Sequence, residues 1–265
     1  MRRIVEPFLL LFRDWNLTRE LFRRTLVQRF AATRLGWWWM IMNPLLLIGV
    51  YLFMFAVIFP SRREGETAVQ HALSISQCLM VFYIFSDSTG AACSALVRQP
   101  GLVKRQSIPL ALLPVLELYP SLVQFALCTA LILGVGLLAG AAVPLSYLAL
   151  PVLIVPMILM SAGISWILAA GTVYFRDLEA FYGHFSRISL YTSGVFWGLA
   201  QAPTALQPYF ATLPLMQISE LTRGFAFGGK WHWGQLGYTY AVGLVVFYIG
   251  YYTFERLKRG FADHL

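Results

Sequence analysis

The lysines and arginines of this chain lie on one side of a series of long apolar segments. Of the 20 basic residues, 16 fall in stretches that can all face the cytoplasm, and four fall in stretches that face away. Connections rich in lysine and arginine stay in the cytoplasm when a protein inserts into a membrane. The distribution therefore predicts a polytopic membrane protein with both termini in the cytoplasm. A charged content of only 12% agrees with that prediction.

Six apolar segments are candidates to cross the bilayer, whose hydrocarbon core of ~30 Å needs about 20 helical residues. We therefore expect an all-α membrane protein with six transmembrane helices. The predicted spans are residues 37–59, 72–97, 113–139, 145–173, 188–201 and 233–254. Together they form one permease domain, residues 35–265.

Residues 1–34 precede the first span and alternate basic with apolar side chains, for example Arg19 and Arg23 with Leu21 and Phe22. A cationic amphipathic helix of this kind lies in the headgroup layer of a membrane. We expect a cytoplasmic interface helix here. A nucleic-acid partner is excluded, because the basic residues flank apolar spans and do not form one patch.

Between the fifth and sixth spans, residues 203–230 contain Pro203, Pro208 and Pro214. One straight helix cannot accommodate three interior prolines. We expect short helices that enter the outer leaflet and return, because irregular backbone at that depth must be buried in protein or line a wet cavity. A cysteine at Arg223, in this external segment, is predicted to react from outside the cell.

An enzyme is disfavoured because the chain lacks a catalytic or metal-binding pattern. Residues 224–231 nearly spell a phosphate-binding loop, but Trp231 stands where a magnesium-binding hydroxyl is required. ATP must then be handled by another chain. We predict no catalytic residues and no metal, and we interpret Cys78, Cys93 and Cys128 as small buried apolar residues.

Two features could line a path through the membrane. Asp87 lies deep in the second span, where carboxylates are costly and usually face a protein interior; a path residue and a packing residue both remain open. Tyr51, Phe55 and Phe59 share one helix face, and Trp166 adds aromatic surface in the fourth span. These rings could contact sugar rings or only pack against other helices.

Five stretches occur in a recognisable order. They are Arg29 to Trp37 running into Asn43-Pro44-Leu45, Leu102 to Arg105 with Ile108-Pro109, Tyr174-Phe175-Arg176-Asp177-Leu178, Ser193-Gly194-Val195-Phe196, and Pro214-Leu215 with Glu220-Leu221 and Arg223. Together they resemble the permease subunit of bacterial polysaccharide-exporting ABC transporters, which move capsule, O-antigen and teichoic acid chains. The resemblance covers nearly the whole chain, with Ile108 in place of an aromatic residue.

This resemblance implies a multi-pass protein of the bacterial inner membrane. A second copy of the chain would complete the channel, and two copies of a cytoplasmic ABC ATPase would bind ATP and magnesium, so that this chain needs no cofactor. Residues that couple to the ATPase would be Lys104, Arg105, Arg176 and Asp177. The substrate would be a lipid-linked polysaccharide, with capsule placed ahead of O-antigen, and periplasmic and outer-membrane export proteins are conceivable further partners.

The resemblance also implies that the external segment is a gate, with Pro214, Glu220 and Arg223 as its residues. Two other functions stay open. One is a permease for small molecules or drugs in an ABC exporter, disfavoured by the aromatic-rich spans and the proline-broken external segment. The other is a stand-alone membrane enzyme or scaffold, disfavoured by the missing catalytic cluster.

Overall fold

The computed structural model describes residues 15–31, 38–58, 67–101, 109–140, 145–225 and 232–264, and every regular element in these ranges is helical. The helices are α1 (Trp15–Ala31), α2 (Trp38–Leu52), α3 (Ala68–Cys93), α4 (Leu112–Leu116), α5 (Leu118–Leu138), α6 (Leu150–Tyr174), α7 (Leu178–Thr192), α8 (Gln207–Ala211), α9 (Pro214–Arg223), α10 (Trp233–Leu257) and α11 (Phe261–His264). A π-helix, Phe53–Ile58, continues α2, and 3-10 turns occupy Leu145–Ala149, Leu199–Gln201 and Lys258–Gly260. The predicted all-α fold class is confirmed.

Three helical segments of the described chain are long and apolar enough to cross a membrane. They are Ala68–Cys93, Leu112–Leu138 and Tyr147–Tyr174, with 26, 27 and 28 residues. They coincide with the second, third and fourth predicted spans. A shorter apolar helix, Leu45–Phe55, lies in the first predicted span. The chain is therefore a helical membrane protein, while the count of six spans and the side of each terminus stay predictions.

The last two predicted spans differ from these three. α7 has 15 residues, which is ~22 Å of helix at 1.5 Å per residue. α10 has 25 residues, but its many tyrosines and glycines lower its mean hydropathy. Neither is long and apolar enough to be assigned a membrane span by length and composition.

The helix at the fifth predicted span has different bounds from those of the predicted span. The prediction started at residue 188, where the charges stop, but α7 starts ten residues earlier, at Leu178, and includes Glu179 and Arg187. Both charged side chains are exposed on the isolated chain, so neither prevents helix formation. α7 ends at Thr192, because Gly194 turns the chain with a φ of 71°.

α3 lies at the centre of the fold and is buried along most of its length. Helices α2, α5, α6, α7 and α9 surround it. Gln77, which is 0% exposed, donates through Nε2 to Thr129 Oγ1 at 3.1 Å and accepts from the Tyr147 hydroxyl at 2.7 Å. Polar side chains inside a membrane need such partners, and they join neighbouring helices.

α6 and α10 approach each other closely through glycines. A Cβ added at Gly250 would lie 2.1 Å from the carbonyl oxygen of Gly163, and one at Gly243 would lie 2.9 Å from that of Pro156. Small residues let helix backbones approach in a membrane, where packing replaces the hydrophobic effect as the driving force. α6 and α10 therefore pack backbone against backbone at these glycines.

α1 packs part of its apolar face on protein. Thr18 and Leu26 are buried, and the ring of Phe22 lies 4.6 Å from that of Tyr119 in α5, centroid to centroid. Arg19 and Arg23 are exposed. Some of the face expected to meet lipid therefore meets α5, and contact of α1 with the headgroup layer stays a prediction.

Candidate translocation and coupling sites

A tight turn between α6 and α7 carries two of the predicted coupling residues. Arg176 and Asp177 are exposed, and Phe175 is 74% exposed. The turn is compact because the Phe175 amide donates to the carbonyl of Gly171 at 2.8 Å. A Cβ at Gly171 would lie only 2.6 Å from the Leu178 side chain. The turn thus presents three neighbouring side chains on a short, well-anchored support.

The other two predicted coupling residues, Lys104 and Arg105, lie outside the described residues. Arg98, which precedes this segment, contacts residues on both sides of it. Its guanidinium donates to the Ala91 carbonyl at 2.8 Å and pairs with the carboxylate of Glu117 at 3.4 Å. Arg98 therefore holds the C-terminal end of α3 near the start of α5, on either side of this segment.

The C-terminal tail packs against the base of the turn, which sequence reasoning missed. The Tyr174 hydroxyl donates to the Leu257 carbonyl at 2.8 Å, and a Cβ at Gly260 would lie 2.6 Å from that hydroxyl oxygen. Phe261 is 0% exposed, and the His264 ring lies 4.7 Å from the Tyr174 ring. The one available signal was an aromatic residue inside an otherwise basic tail.

Asp87 borders a cavity of about 150 Å³ between α2, α3 and α5. The Ser121 hydroxyl donates to Asp87 Oδ2 at 2.6 Å. The cavity is lined by Leu47, Met80, Tyr83, Asp87, Ser121, Gln124 and Phe125. Only Asp87 was singled out from the sequence, because the polar residues of α5 become neighbours of Asp87 only through helix packing.

A polar contact joins α3 to α7 next to this cavity. The hydroxyls of Thr89 and Tyr182 are hydrogen-bonded, as are those of Ser86 and Ser186. Gly90 leaves room for the Tyr182 ring, which a Cβ would approach to 3.3 Å. α7, which follows the turn at residues 175–177, is therefore attached to α3, which carries Asp87.

The aromatic residues predicted to line a path form part of a larger cluster. The rings of Tyr51 and Phe55 are stacked, with centroids 6.2 Å apart, and both lie near Phe196, at 5.8 and 6.1 Å. Tyr191 lies 6.0 Å from Phe196. Phe59 lies outside the described residues. The cluster is only half-buried, so its rings present surface on the isolated chain.

Trp166 occupies a different position. It is 1% exposed, and its indole N–H donates to the Ala111 carbonyl at 2.7 Å. Phe247 and Tyr251 pack on its ring, at 5.1 and 5.3 Å between centroids. Trp166 could contact a substrate only if α6 and α10 separated, so its place on the path stays a prediction.

α9, which lies in the segment predicted to be external, is held to residues 194–199 by a buried arginine. Arg223 is 4% exposed, and Nη1 donates to Glu220 Oε1 at 2.8 Å. Nη2 donates to the carbonyl oxygens of Gly194 at 2.5 Å and Val195 at 3.2 Å. Glu220 also accepts from the Leu199 amide at 2.9 Å. We call these contacts the Arg223 clamp; they join α9 to residues 194–199.

This burial corrects the expectation that position 223 is accessible. Arg223 is buried because its charge is satisfied by one carboxylate and several carbonyls, which the sequence order could not reveal. Pro214, the third predicted gate residue, occupies the first turn of α9, where a proline costs no hydrogen bond. Gly194 is required at its position, since a Cβ there would lie 2.1 Å from the Met216 sulfur in addition to the positive φ.

Within the described ranges, no group of three His, Cys, Asp or Glu residues could hold a metal ion. The three cysteines are buried, and none forms a disulfide bond within the described ranges. The chemical features of the described chain are thus an exposed turn, a polar cavity, an aromatic cluster and a clamped external segment.

The part of the chain that matches known proteins includes all of these features. A profile described as "ABC-2 type transporter" matches residues 16–227. The chain is 21% identical over 252 residues, 95% of each chain, to the "O-antigen export system permease protein RfbA" of Klebsiella pneumoniae. A second Klebsiella pneumoniae protein of that name is 22% identical over the same length and coverage. A Myxococcus xanthus protein of that name is 23% identical over 210 residues, 78% of this chain and 79% of the relative.

Proposed function

The chain belongs to the ABC-2 type transporter family, and from this membership we propose that it is the membrane-spanning permease of an ATP-driven exporter of lipid-linked polysaccharide. The observation that carries the proposal is that three relatives aligned over most of the chain are all named as O-antigen export permeases. That name favours an O-antigen glycan over a capsular one as the substrate. The preference for capsule taken from the sequence has no further support. The protein would reside in the bacterial inner membrane.

The chain would work as two copies with two copies of a cytoplasmic ABC ATPase. The exposed turn at Phe175, Arg176 and Asp177 supports a docking role, because it offers an aromatic ring and both charges on a compact base. Lys104 and Arg105 would belong to the same cytoplasmic surface. ATP and magnesium would be bound by the partner, and this chain would convert the partner's movement into movement of helices.

The contacts of the turn suggest how that movement would spread. Tyr174 ties the turn to the end of α10, and the glycine contacts join α10 to α6. A force on the turn would therefore move α6 and α10 together. α7 would move relative to them, and the Tyr182–Thr89 contact would transmit its displacement to α3.

The glycan would pass between the two copies, along the cluster of Tyr51, Phe55 and Phe196. Aromatic rings offer large, weakly polar surfaces that can contact sugar rings without tight hydrogen bonds. The external segment, with Pro214, Glu220 and Arg223, would close the outer end. Periplasmic and outer-membrane export proteins would receive the glycan there.

Deletion of the gene tests this function. We expect the deletion strain to lose a surface polysaccharide and to accumulate its lipid-linked form inside the cell, and the intact gene to restore export. Normal surface glycan in the deletion strain would contradict the proposal. Accumulation of a small molecule instead of glycan would favour the alternative, a small-molecule ABC permease.

Two charge reversals then test the coupling turn. Arg176→Glu or Asp177→Lys should lower export and permease-dependent ATP hydrolysis while membrane insertion stays normal. Thr204→Glu is the control, because residue 204 is exposed and lies on the opposite predicted side. Unchanged export in both reversals would rule out a coupling role for the turn.

A further inference from the structure

The geometry points to the cavity beside Asp87 as a binding site for one neutral sugar ring of the exported glycan. This inference rests on the proposed export function and adds a recognition site and a charge preference to it. Its basis is the combination of cavity size, lining chemistry and depth in the membrane.

The polar lining can both donate and accept hydrogen bonds. Asp87 accepts, the amide of Gln124 donates and accepts, and the Tyr83 hydroxyl does both. The Ser121 hydroxyl donates to Asp87 and can still accept. A carboxylate offers several acceptor positions, so Asp87 can accept from more than one donor. Sugar hydroxyls are both donors and acceptors, and a hydroxyl that donates to a carboxylate makes a charge-assisted bond.

The remaining lining is apolar and partly aromatic. Leu47, Met80 and Phe125 provide it. A sugar ring has apolar C–H faces beside its hydroxyl groups. A small-molecule site of this kind combines a mostly apolar wall with a few convergent polar groups. Tyr83, Asp87 and Gln124 are only partly buried, so the cavity is accessible from outside the fold.

The size of the cavity favours a sugar ring over a metal cation as its ligand. A volume of about 150 Å³ is enough for about five waters at ~30 Å³ each, and a cavity of that volume can hold a six-membered ring. A protein-bound Ca²⁺ ion is instead enclosed by six to eight oxygens at about 2.3–2.6 Å. The lining is therefore too open for a dedicated cation site.

The charge of the lining selects neutral sugars. Among the described residues that line the cavity, Asp87 is acidic and none is basic. A phosphate or uronate group would be placed beside a carboxylate, and like-charge contact is strongly unfavourable. A neutral hexose or deoxyhexose fits this lining, whereas the phosphate of a lipid carrier would have to lie elsewhere.

The cavity lies towards the predicted cytoplasmic ends of α3 and α5, the side from which such a substrate would enter. Asp87 is six residues from the end of α3 at Cys93, about 9 Å along the helix. Ser121 and Gln124 are in the first two turns of α5. The distribution of basic residues predicts that both of these helix ends face the cytoplasm, the side on which the glycan is made available.

A purely structural role for Asp87 explains fewer of these features. The same helix contains a polar residue with such a role: Gln77 is 0% exposed and in direct contact with Thr129 and Tyr147. A packing bond between Asp87 and Ser121 would require neither an adjoining cavity nor the amide of Gln124 beside it.

Photocrosslinking in cells tests direct contact. Tyr83 is replaced by p-benzoyl-phenylalanine in a strain whose export depends on this chain, so that failure of the export function is recognised before the site is tested. We expect irradiation to yield an adduct that contains the cell's own lipid-linked glycan, detected with a sugar stain. Tyr252, which is 41% exposed on α10, is the matched aromatic control and should give at least fivefold less. No sugar-containing adduct at position 83, or equal yields at both positions, would overturn the inference.

Two neighbouring substitutions separate recognition from packing. Asp87→Asn keeps the size of the side chain and an acceptor for Ser121 but removes the charge, so the adduct at position 83 should fall about tenfold, the difference between charged and neutral hydrogen bonds. Ser88 bonds only to backbone carbonyls of α3 in the described contacts, so Ser88→Ala should leave the adduct unchanged. An unaffected adduct in Asp87→Asn, or equal loss in both variants, would contradict recognition by Asp87.

Discussion

The Arg223 clamp makes a quantitative prediction about the external segment. Arg223→Met keeps an unbranched apolar stem of similar length and removes the guanidinium. The carboxylate of Glu220 and the carbonyls of Gly194 and Val195 then lose a donor that is now within 2.5–3.2 Å of them. We expect residues 194–199 to detach from α9 more often.

The size of the effect follows from the burial of the two charges. Removing one partner of a buried ion pair costs about 3–5 kcal/mol. Arg223 is 4% exposed, but Glu220 is 21% exposed and keeps the Leu199 amide, so we take the lower end, about 3 kcal/mol. Since each 1.4 kcal/mol is a factor of ten, the detached state should become about 100-fold more populated.

The assay is the labelling rate of a cysteine placed at Val195. Val195 is 0% exposed, so a thiol there reacts only when residues 194–199 detach from α9. The labelling rate therefore follows the population of the detached state. The native cysteines are all buried, and the parent chain supplies the background. A cysteine at Thr204, which is exposed, should react equally fast with and without Arg223.

The expected result is labelling at position 195 that is about 100-fold faster in the Arg223→Met background. Arg223→Lys should give an intermediate rate, because a lysine can pair with Glu220 but cannot reach several acceptors with a planar fork. A change smaller than threefold at position 195, with equal rates at Thr204, would refute the clamp.

Three further predictions concern packing, coupling and topology. Gly250→Ala places a methyl group 2.1 Å from a backbone oxygen of α6, so the free energy of unfolding of the purified chain should fall by about 1–3 kcal/mol. Gly237→Ala, with open space around it, should leave the free energy of unfolding unchanged. Gly260→Ala should displace the Tyr174 hydroxyl and lower export per ATP hydrolysed without loss of chain from the membrane; export per ATP equal to that of Gly237→Ala would disprove a role for the tail. A cysteine at Thr204 should be labelled by an impermeant reagent from outside intact cells and one at Asp177 should be protected, and the reverse pattern would overturn the topology.

The coupling turn shows how far a local motif can be interpreted. The family resemblance singled out Arg176 and Asp177, and both are exposed on a turn, as a docking role requires. Their support was not predictable, because Tyr174 meets Leu257 across 83 residues of sequence. Contacts between such distant residues depend on helix packing, which no local pattern specifies.

Arg223 shows the opposite outcome. Its position in a proline-rich external segment suggested an accessible charge, and the arginine is buried because backbone carbonyls from a neighbouring turn surround it. Every residue has a backbone carbonyl, so the side chains in the sequence do not indicate which carbonyls will surround the arginine. A polar residue's burial depends on partners that the sequence does not name.

The amino-acid sequence alone determined that this is a helical membrane protein, and it located the second, third and fourth apolar spans. The reason is that the transfer of apolar side chains and backbone into lipid depends on composition over about 20 residues. Tertiary structure decided where α7 begins and ends, which polar residues surround Asp87 and how the external segment is held. These features arise from contacts between helices, whose relative rotation and depth are set by the packing of small residues and by hydrogen bonds over long sequence distances.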